Sequence, residues 1–397
     1  MMGQTDFEAT VETTMVKSLT ISEASGSDRT DIAIFLPSLG GGGAERVMMS
    51  LANAFAVRGL GVDLVLASAE GPFLEDVSPE VRIIDLGASR VMKALFPLVK
   101  YIRRRRPRAM LSALGHANVV AIVARMLSRV DMRLIISERS TPSEMSLLSQ
   151  GLRGKINGWL VPLLYPRADG ISTVSDGVSR DLIKRTGLRS SQVMTIYNPF
   201  DLEGIEANAR QPIESDWFTS SNSPTILAIG RLTEQKDFSV LIRAFALIRR
   251  AREIRLLILG EGEQRGELEA LVGNLGLSKE DVRMPGFVRN PHRYLARCDL
   301  FVLSSRTEGL PGALVEAIAC GAPVVSTDCP SGPDEILEGG RWGRLVPVGD
   351  VEALATAMAE VLDTPRHERP DVRTRARDFG QEKAVDAYLA LLGVSCQ

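Results

Sequence analysis

Short apolar segments of strand length alternate with helical patterns along almost the whole chain, and this alternation occurs twice. The first series starts at 31–36, and the second starts at Thr225–Ile229 after a polar, irregular stretch at 207–224. Apolar runs separated by amphipathic helices predict βαβ units with buried parallel strands. Ligands of such sheets bind beyond the carboxyl ends of the strands. We therefore expect an α/β protein with two Rossmann-like, doubly wound domains that face each other across a crevice.

The chain has 397 residues, which is enough for two domains of ordinary size. The predicted strands are 31–36, 62–67, 81–86, Ala109–Ala113, 134–137 and 170–174 in the first series, and Thr225–Ile229, Arg255–Leu259, 282–284, Leu300–Leu303, 323–326 and Arg344–Val346 in the second. We expect a disordered tail at 1–30, a first domain at 31–200, a linker at 201–223 and a second domain at 224–380. The last segment, 381–397, is predicted to be a helix that returns to the first domain.

The two halves differ in charge. Residues 31–200 contain 22 Lys and Arg against 14 Asp and Glu, whereas residues 201–397 contain 23 against 30. The basic first half and the acidic second half are therefore expected to face different partners. The four cysteines have neither metal-site spacing nor a disulfide-like pattern, and no apolar run reaches the length of about 18 residues that a membrane span needs. These features and the absence of a signal pattern predict a cytoplasmic protein.

Four consecutive glycines, 40–43, stand between the first strand and the first helix. Glycines at that position let backbone N–H groups approach a phosphate or a sugar at the helix N-terminus. The pattern is neither the dinucleotide fingerprint GxGxxG nor a Walker loop, which argues against an NAD enzyme and a P-loop NTPase. A flexible turn explains the same glycines, so the loop alone does not decide between the two interpretations.

A second glycine-led loop, 230–237, follows the strand Thr225–Ile229 and carries Arg231 and Lys236. Two cations at the carboxyl end of a strand are placed to bind a diphosphate, the arginine through its planar fork. Solvated surface cations are the alternative. The position at the expected crevice favours a binding role.

The segment from Glu308 to Glu316 is the strongest signal for function. Glu308 ends a loop after the strand Leu300–Leu303, and Glu316 lies on a helix predicted to begin near Pro311. Glycines at 309 and 312 open the backbone there, and a helix N-terminus favours a bound diphosphate. The two carboxylates are then placed to accept hydroxyls of a ribose and of a donated sugar. We expect both to face Arg231 and Lys236 over the crevice.

From about residue 31 to 392 the sequence resembles the retaining GT-B glycosyltransferases of family 4 (group 1), of the type that assembles bacterial polysaccharides and glycans. The resemblance rests on Arg231 with Lys236 and on Glu308 with Glu316, spaced as E-x7-E. The surrounding sequence matches in the segments Gly42-Gly-Ala-Glu-Arg-Val47, Gly230-Arg-Leu, Leu259-Gly-Glu-Gly262, Pro285-Gly-Phe-Val, Ser304 to Glu308, and Glu316-Ala-Ile-Ala-Cys-Gly-Ala-Pro-Val-Val325.

The resemblance implies a GT-B architecture in which the second domain holds most of a nucleoside-diphosphate sugar. By this likeness Glu316 binds the ribose, Arg231 and Lys236 bind the diphosphate, and Glu308 binds the sugar. The other expected donor contacts are Gly42, Gly43, Phe287, Val288, Arg289, Gly309, Leu310, Pro311 and Gly312, with 287–289 beside the base. No cofactor is implied. No metal is expected either, since the sequence offers no DxD-like site.

The chain departs from the family pattern after the strand at 134–137. Many members carry a histidine there, close to the reacting sugar, whereas this chain has Glu138 and Arg139. This pair resembles a Ser-Glu-Arg variant of glycan-assembly enzymes, in which Arg139 would contact a phosphate of donor or acceptor. His116, on the loop after Ala109–Ala113, is a further candidate, although a lone histidine is more often structural. With Glu308, Arg231 and Lys236, these three residues are the expected catalytic group.

The acceptor is expected to be a lipid-linked glycan or a polysaccharide. The segment 92–108 places apolar residues beside Lys100 and the arginines 103–106, a composition that suits an anionic membrane surface, although a solvated helix end is an equal alternative. The expected donor is a UDP-sugar, with a GDP-mannose-dependent mannosyltransferase as the alternative. A non-catalytic nucleotide-sugar-binding protein, a phosphorylase and an epimerase of the same fold are further alternatives. No nucleic-acid partner is expected.

Overall fold

A computed structural model describes residues 30–40, 42–140, 160–213, 216–219 and 223–395. The predicted tail up to residue 29, Gly41 and Cys396 lie outside the described residues, as does part of the predicted linker. Among the residues that are described, no helix is long and apolar enough to cross a membrane.

Thirteen described strands form two parallel sheets. The first sheet has the order β3-β2-β1-β4-β5-β6-β7 and the second the order β10-β9-β8-β11-β12-β13. Their bounds are β1 Ile32–Leu36, β2 Val62–Leu66, β3 Arg82–Asp85, β4 Ala109–Ala113, β5 Arg133–Glu138, β6 Gly170–Thr173, β7 Val193–Thr195, β8 Thr225–Ile229, β9 Arg255–Leu259, β10 Val282–Gly286, β11 Leu300–Leu303, β12 Val324–Thr327 and β13 Arg344–Val346. The two sheets confirm the predicted α/β, doubly wound architecture.

Helices connect the strands in both halves. Their bounds are α1 Gly43–Val57, α2 Leu95–Arg105, α3 Gly115–Ser128, α4 Asp176–Thr186, α5 Leu202–Arg210, α6 Asp216–Thr219, α7 Phe238–Arg249, α8 Arg265–Asn274, α9 His292–Leu295, α10 Gly312–Cys320, α11 Pro333–Leu337, α12 Val351–Asp363, α13 Val372–Ala376 and α14 Gln381–Leu392.

The apolar strands are buried on both faces, as the continuous apolar runs predict. In β1, Ile32, Ile34 and Leu36 point into one core, which α1 and α14 cover, and Ala33 and Phe35 point into a second core, beneath α2 and α3. The second sheet has the same arrangement, with α10 packed on one face and α7 and α12 on the other. Cys298 and Cys320 are buried thiols in the core beneath α10.

The chain crosses between the two halves twice, and the two crossings lie side by side. The backbone N–H of Phe200 donates to Phe379, and that of Gln381 donates to Phe200. Beyond the second crossing, α14 packs Val385, Tyr388 and further apolar residues into the core of the first sheet. The C-terminal helix therefore belongs by packing to the half that is most distant from it in sequence.

Two elements differ from the sequence-based prediction. Strand β7 was missed because it is only three residues long, lies at the sheet edge and is not fully buried. The predicted linker begins with the helix α5 rather than with irregular chain. Asp201 caps this helix by accepting from the backbone N–H of Gly204 at 2.9 Å, and Ile205 is buried in the core beneath α10.

Candidate functional site

The strand order places the sequence-predicted loops next to each other. In the second sheet the order reverses between β8 and β11, so the loop 230–237 after β8 adjoins the loop 304–311 after β11. In the first sheet the reversal lies between β1 and β4, which brings the glycine loop close to the start of α3. Such switch points are where open α/β sheets bind ligands.

The two loops of the second sheet are hydrogen-bonded to each other. The hydroxyl of Ser304 donates to the carbonyl of Lys236 at 2.8 Å, and the amide of Gln235 donates to the carbonyl of Thr307 at 2.9 Å. Arg306 Nε donates to the buried carboxylate of Asp237 at 2.7 Å. These contacts hold the side chains of the two loops in a defined relative position.

Lys236 and Glu308 meet directly at this junction. Lys236 Nζ lies 2.5 Å from Glu308 Oε1, which also accepts from the hydroxyl of Ser305 at 2.6 Å. Glu308 is only 9% exposed. The expectation that Lys236 faces this carboxylate across the crevice is therefore wrong, because adjacent strands of one sheet carry both residues.

Helix α10 begins at Gly312, directly after the loop that carries Glu308. No side chain caps its N-terminus, so its first N–H groups and the positive end of its dipole are available to an anion. Glu316 lies in the second turn with its side chain 16% exposed. Arg46 of α1 reaches over from the first half, and its Nη1 lies 3.9 Å from Glu316 Oε1.

Gly309 lies at a close approach between the two halves. Its carbonyl accepts from the hydroxyl of Ser175 at 2.8 Å, and a Cβ at this position would lie 2.3 Å from the carbonyl oxygen of Arg139. Only glycine fits at this separation. Nearby, Glu335 of α11 accepts from the backbone N–H of Asp176 at 2.9 Å. The loop that carries Glu308 thus rests on the carboxyl ends of β5 and β6.

Glu138 is buried at the end of β5, where Tyr165 donates a 2.6 Å hydrogen bond to Oε2 of the carboxyl group. Asn118 of α3 holds this corner by donating to the carbonyl of Ser137 at 3.0 Å. Burial raises the pKa of Glu138 to about 7, and the hydrogen bond from Tyr165 opposes that rise. Glu138 is therefore poised to change its charge near neutral pH.

Arg139 and His116 flank Glu138. Arg139 Nη2 donates to Asn198 Oδ1 at 2.5 Å, while its Nε and Nη1 are buried without a hydrogen-bond partner. His116 lies in the first turn of α3 rather than on a loop. The protein around His116 desolvates its imidazole and lowers its pKa, and the charge of Glu45 opposes this effect.

The remaining predicted residues lie around this centre. Arg231 is exposed on the loop after β8, and Phe287 and Arg289 are exposed after the edge strand β10, with Val288 partly buried. Gly42 precedes the first turn of α1, which begins at Gly43, and the carboxylate of Glu45 folds back over Gly42. Leu310 and Pro311 are buried in the loop that leads into α10.

Sequence reasoning did not single out several residues of this site. Ser305 and Arg46 lie within the matched segments, but a hydroxyl or a cation there has no distinct pattern. Tyr165 stands next to apolar residues that give no local signal for a role, and Asn198 stands where the first domain was predicted to end. Arg46, Tyr165 and Asn198 join the site only through contacts with residues far away in sequence, and Ser305 joins it through its hydrogen bond to the nearby Glu308.

Residues 223–364 match the family of glycosyl transferases group 1, and residues 41–203 match glycosyltransferase family 4. Over 377 residues the chain is 33% identical to the N-acetylgalactosamine-N,N'-diacetylbacillosaminyl-diphospho-undecaprenol 4-alpha-N-acetylgalactosaminyltransferase of Campylobacter jejuni, covering 91% of this chain and 99% of that protein. It is also 36% identical over 178 residues to the lipopolysaccharide core biosynthesis glycosyltransferase LpsE of Rhizobium meliloti, covering 44% of this chain and 51% of that protein.

Among solved structures, the chain resembles HepE of Anabaena, crystallised in complex with UDP. The TM-score is 0.75 at 20% sequence identity, and the match covers 92% of this chain and 100% of the other. At this identity the likeness shows a shared fold with two facing α/β halves.

Proposed function

This chain belongs to the group 1 glycosyltransferases and has their GT-B fold, and we propose that it is a retaining enzyme acting on a nucleoside-diphosphate sugar. The contact between Lys236 and Glu308, next to the uncapped N-terminus of α10, carries this proposal. A cation, a carboxylate and a helix dipole side by side match a ligand that has phosphates and hydroxyls together.

For the donor we assign the diphosphate to Lys236, Arg231 and the first N–H groups of α10. In this assignment Lys236 leaves Glu308 and binds the phosphates. The carboxylate of Glu308 then accepts hydroxyls of the sugar. Glu316, one turn into α10, accepts the ribose hydroxyls, and Phe287 with Val288 and Arg289 lies beside the base. The backbone of 309–312 completes the donor site.

Gly42 and Gly43 are proposed to contact the sugar rather than the phosphates. Glu45 folds over Gly42 at the N-terminus of α1, so a negative charge already occupies the position that a phosphate would need. Carboxylates repel phosphate but accept hydroxyl groups. The two glycine-led loops would therefore hold different parts of the same donor.

We favour UDP over GDP as the nucleotide. The Anabaena protein of the same fold binds UDP, and the Campylobacter relative transfers N-acetylgalactosamine. A UDP-hexose or a UDP-N-acetylhexosamine is therefore the first candidate, and GDP-mannose is the second. A screen of thermal stability against UDP and GDP discriminates between them, because a ligand that binds only the folded state raises its melting temperature.

We propose that the reaction needs no metal ion and that fixed charges stabilise the departing diphosphate. Charge that develops on the leaving phosphate is met by Lys236, Arg231 and the dipole of α10, which need no reorganisation during the reaction. Arg139, with two buried nitrogens lacking a partner, is the candidate for a phosphate of donor or acceptor. His116 and Glu138 line the acceptor side of the reacting sugar in this proposal.

The proposed acceptor is a lipid-linked glycan, reached by contact with an anionic membrane surface. The Campylobacter relative, matched over nearly its whole length, acts on an undecaprenol-linked diphosphate. Around α2, Phe96 is 75% exposed and Met92 is 62% exposed, and they share a surface with Lys93, Lys100 and Arg104. Large apolar side chains exposed among cations suit a lipid surface.

Fewer arginines belong to this basic surface than the sequence predicts. Arg105 does not contribute to it, because its Nε lies 3.4 Å from the buried carboxylate of Asp63, which Arg82 and Tyr101 also contact. Arg103 donates to the carbonyl of Leu127 at 2.9 Å. This contact brings the exposed Met126 and Leu127 of α3 close to the surface formed by α2.

Transfer of radiolabelled sugar from UDP- and GDP-sugars to lipid-linked acceptors tests the donor assignment. Glu316→Ala is expected to reduce kcat/KM by about tenfold to a hundredfold, since a hydrogen bond to a charged group contributes roughly 1.5–3 kcal/mol. The exposed Glu352 of α12 provides the matched control, Glu352→Ala, which should leave transfer unchanged. Equal transfer by the wild-type protein and Glu316→Ala would overturn the assignment.

Sedimentation with anionic phospholipid vesicles at low salt tests the membrane contact. Phe96→Ser with Lys100→Glu is expected to lose several-fold in the bound fraction, and added salt should weaken wild-type binding because it screens the charges. Val348→Ser with Lys279→Glu makes the same changes at exposed positions of the second half. A wild-type protein that stays in the supernatant, or equal losses in both variants, contradicts the proposal.

The transfer assay also addresses a non-catalytic nucleotide-sugar-binding protein of the same fold. Such a protein would bind UDP or GDP and transfer nothing to any acceptor. The cations and carboxylates expected to act on the donor are all present, and the Lys236–Glu308 contact is already formed. This arrangement favours a transferring enzyme.

A further inference from the structure

His292 lies directly behind Glu316, on the side away from the crevice. It is the first residue of α9, and its side chain is buried in the second half, with 4% of the residue exposed. Its backbone N–H donates to Asn290 Oδ1 at 3.1 Å, and its carbonyl accepts from the thiol of Cys320 at 3.7 Å. Asn290 in turn donates to the carbonyl of Asn208 in α5 at 3.0 Å. The backbone of His292 is therefore held from several sides.

The imidazole of His292 lacks the hydrogen bonds that its burial demands. Neither Nδ1 nor Nε2 has a hydrogen-bond partner, and Nε2 lies 3.7 Å from Glu316 Oε1. Buried polar groups are nearly always satisfied, so an unsatisfied one in a well-packed site calls for an explanation. The short distance from Nε2 to the carboxylate of Glu316 at the crevice provides such an explanation.

Glu316 is held no more firmly by its charged neighbours. Arg46 approaches its Oε1 from the crevice side at 3.9 Å, and His292 approaches the same oxygen from the core side at 3.7 Å. Both separations exceed the length of a hydrogen bond. The carboxylate plane is consequently not fixed by either neighbour.

We propose that His292 is a positioning residue for donor recognition, whose Nε2–H bonds to Glu316 Oε1 and orients the carboxylate toward both ribose hydroxyls. The inference rests on the proposed function, in which Glu316 binds the ribose. A carboxylate offers about four lone-pair directions, so Oε1 accepts from His292 and still accepts a hydroxyl. One bond from the core side fixes the rotation of the group, and the ligand then meets an oriented acceptor pair.

The alternative is that His292 only fills space between α9 and α10. Phenylalanine has a shape similar to that of histidine but no N–H, whereas glutamine carries an N–H donor at a similar reach. The variants His292→Phe and His292→Gln therefore separate the effect of packing from that of hydrogen bonding. The exposed His367, whose Nε2 lies 3.5 Å from Glu368 Oε1, provides a matched control in the variant His367→Phe.

The experiment measures dissociation constants for UDP and 2′-deoxy-UDP, together with KM and kcat for the donor, in the full chain. GDP and 2′-deoxy-GDP replace these probes if the wild-type protein binds guanosine nucleotides instead. His292→Phe is expected to weaken UDP binding and raise the donor KM by about tenfold, with kcat changed less than threefold. His292→Gln should restore most of the affinity, and His367→Phe should behave as the wild-type protein.

The deoxy nucleotide gives the decisive comparison. Loss of the 2′-hydroxyl should weaken binding to the wild-type protein several-fold, and this penalty should shrink in His292→Phe because Glu316 is no longer oriented. An unchanged penalty in His292→Phe, or loss of affinity in both His292 variants alike, would overturn the proposal in favour of packing. If Glu316→Ala binds UDP and 2′-deoxy-UDP as the wild-type protein does, the ribose assignment of Glu316 itself fails.

Discussion

Two buried carboxylates of the site have different surroundings. Glu308 is neutralised by Lys236 and accepts from the hydroxyl of Ser305. Glu138 has the hydroxyl of Tyr165 as its side-chain donor and is otherwise enclosed by the protein. Burial disfavours the charged form more strongly than the Tyr165 hydroxyl, the Arg139 backbone N–H and the Arg139 charge favour it, which is why the pKa of Glu138 is raised to about 7.

The stability of the protein should therefore depend on the charge of Glu138. Since the folded pKa of about 7 exceeds the ordinary value of 4.5, the folded state binds the proton more tightly than the unfolded chain. The free energy of unfolding should fall as pH rises from about 4.5 to 7, by about 3 kcal/mol in total. Glu138→Gln should lack this pH-dependent contribution. Its free energy of unfolding, measured in urea between pH 5 and pH 8, should therefore rise relative to that of the wild-type protein as pH rises.

Tyr165→Phe provides the companion variant to Glu138→Gln. It removes a hydrogen bond that lowers the pKa of Glu138, so its loss of stability between pH 5 and pH 8 should exceed that of the wild-type protein. Parallel stability curves for the wild-type protein and Glu138→Gln over this range would show that Glu138 does not titrate there.

At the scale of elements, the carboxyl ends of three neighbouring strands must pack closely to shape the loop 230–237 after β8. Gly260 follows β9 with φ of +146°, and a Cβ there would lie 1.9 Å from the carbonyl oxygen of Gly230. The backbone N–H of Gly260 also donates to the carbonyl of Gly286, the last residue of β10, at 2.9 Å. The loop that carries Lys236 can follow its path only because residue 260 has no side chain.

Gly260→Ala should therefore destabilise the protein and displace this loop. A residue with a Cβ in a sparsely populated backbone region costs about 1–3 kcal/mol, and the overlap with Gly230 adds to that cost. The expected result is a loss of roughly 2 kcal/mol or more in unfolding free energy and a raised KM for the donor. Thermal unfolding and donor titration measure the two effects.

Gly273→Ala is the control for this substitution. Gly273 lies in α8, is exposed and has no atom within 4 Å of an added Cβ. Alanine favours a helix over glycine by about 0.5–1 kcal/mol, so this variant should be as stable as the wild-type protein or slightly more. If the two alanine variants behave alike, close packing at Gly260 is not what shapes the loop.

At the scale of the whole molecule, the chain order and the packing order differ. Helix α14 follows the second half in sequence but completes the core of the first sheet, with Tyr388 and Leu392 fully buried. Arg58, directly after α1, adds ion pairs to Glu382 and Asp386 of α14. Exposed pairs of this kind contribute little, so apolar burial is the main reason for the docking.

Leu392→Ala should thus weaken the first half, although it lies at the C-terminus. Truncating a fully buried leucine costs about 2–4 kcal/mol. Hydrogen exchange should show lost protection in β1, β4 and β5, with β8 and β11 unchanged. Leu354→Ala, in α12 and packed on the second sheet, should give the opposite pattern. Equal loss of protection in both sheets for both variants would show that the halves unfold as one unit.

Much of the fold follows from local sequence pattern. Fully apolar segments such as Ile32–Leu36 and Leu300–Leu303 predict strands, because a strand buried on both faces shows no alternation of polar and apolar residues. The elements that the sequence did not predict are short or depend on contacts with residues far away in the chain. Strand β7 has three residues at an edge, and α5 depends on a cap at Asp201 and on core contacts that no local pattern reveals.

The sequence by itself determined that Glu308 and Glu316 lie across a loop and a helix start with seven residues between them, because chain connectivity and helix geometry are local. It also determined the two series of strands that create a crevice. Tertiary structure decided that Lys236 contacts Glu308 within one half, that Arg46 and His292 approach Glu316 from opposite sides, and that Glu138 is enclosed with Tyr165. Those contacts join residues far apart in the chain, and only the order of strands and the packing between the halves brings them together.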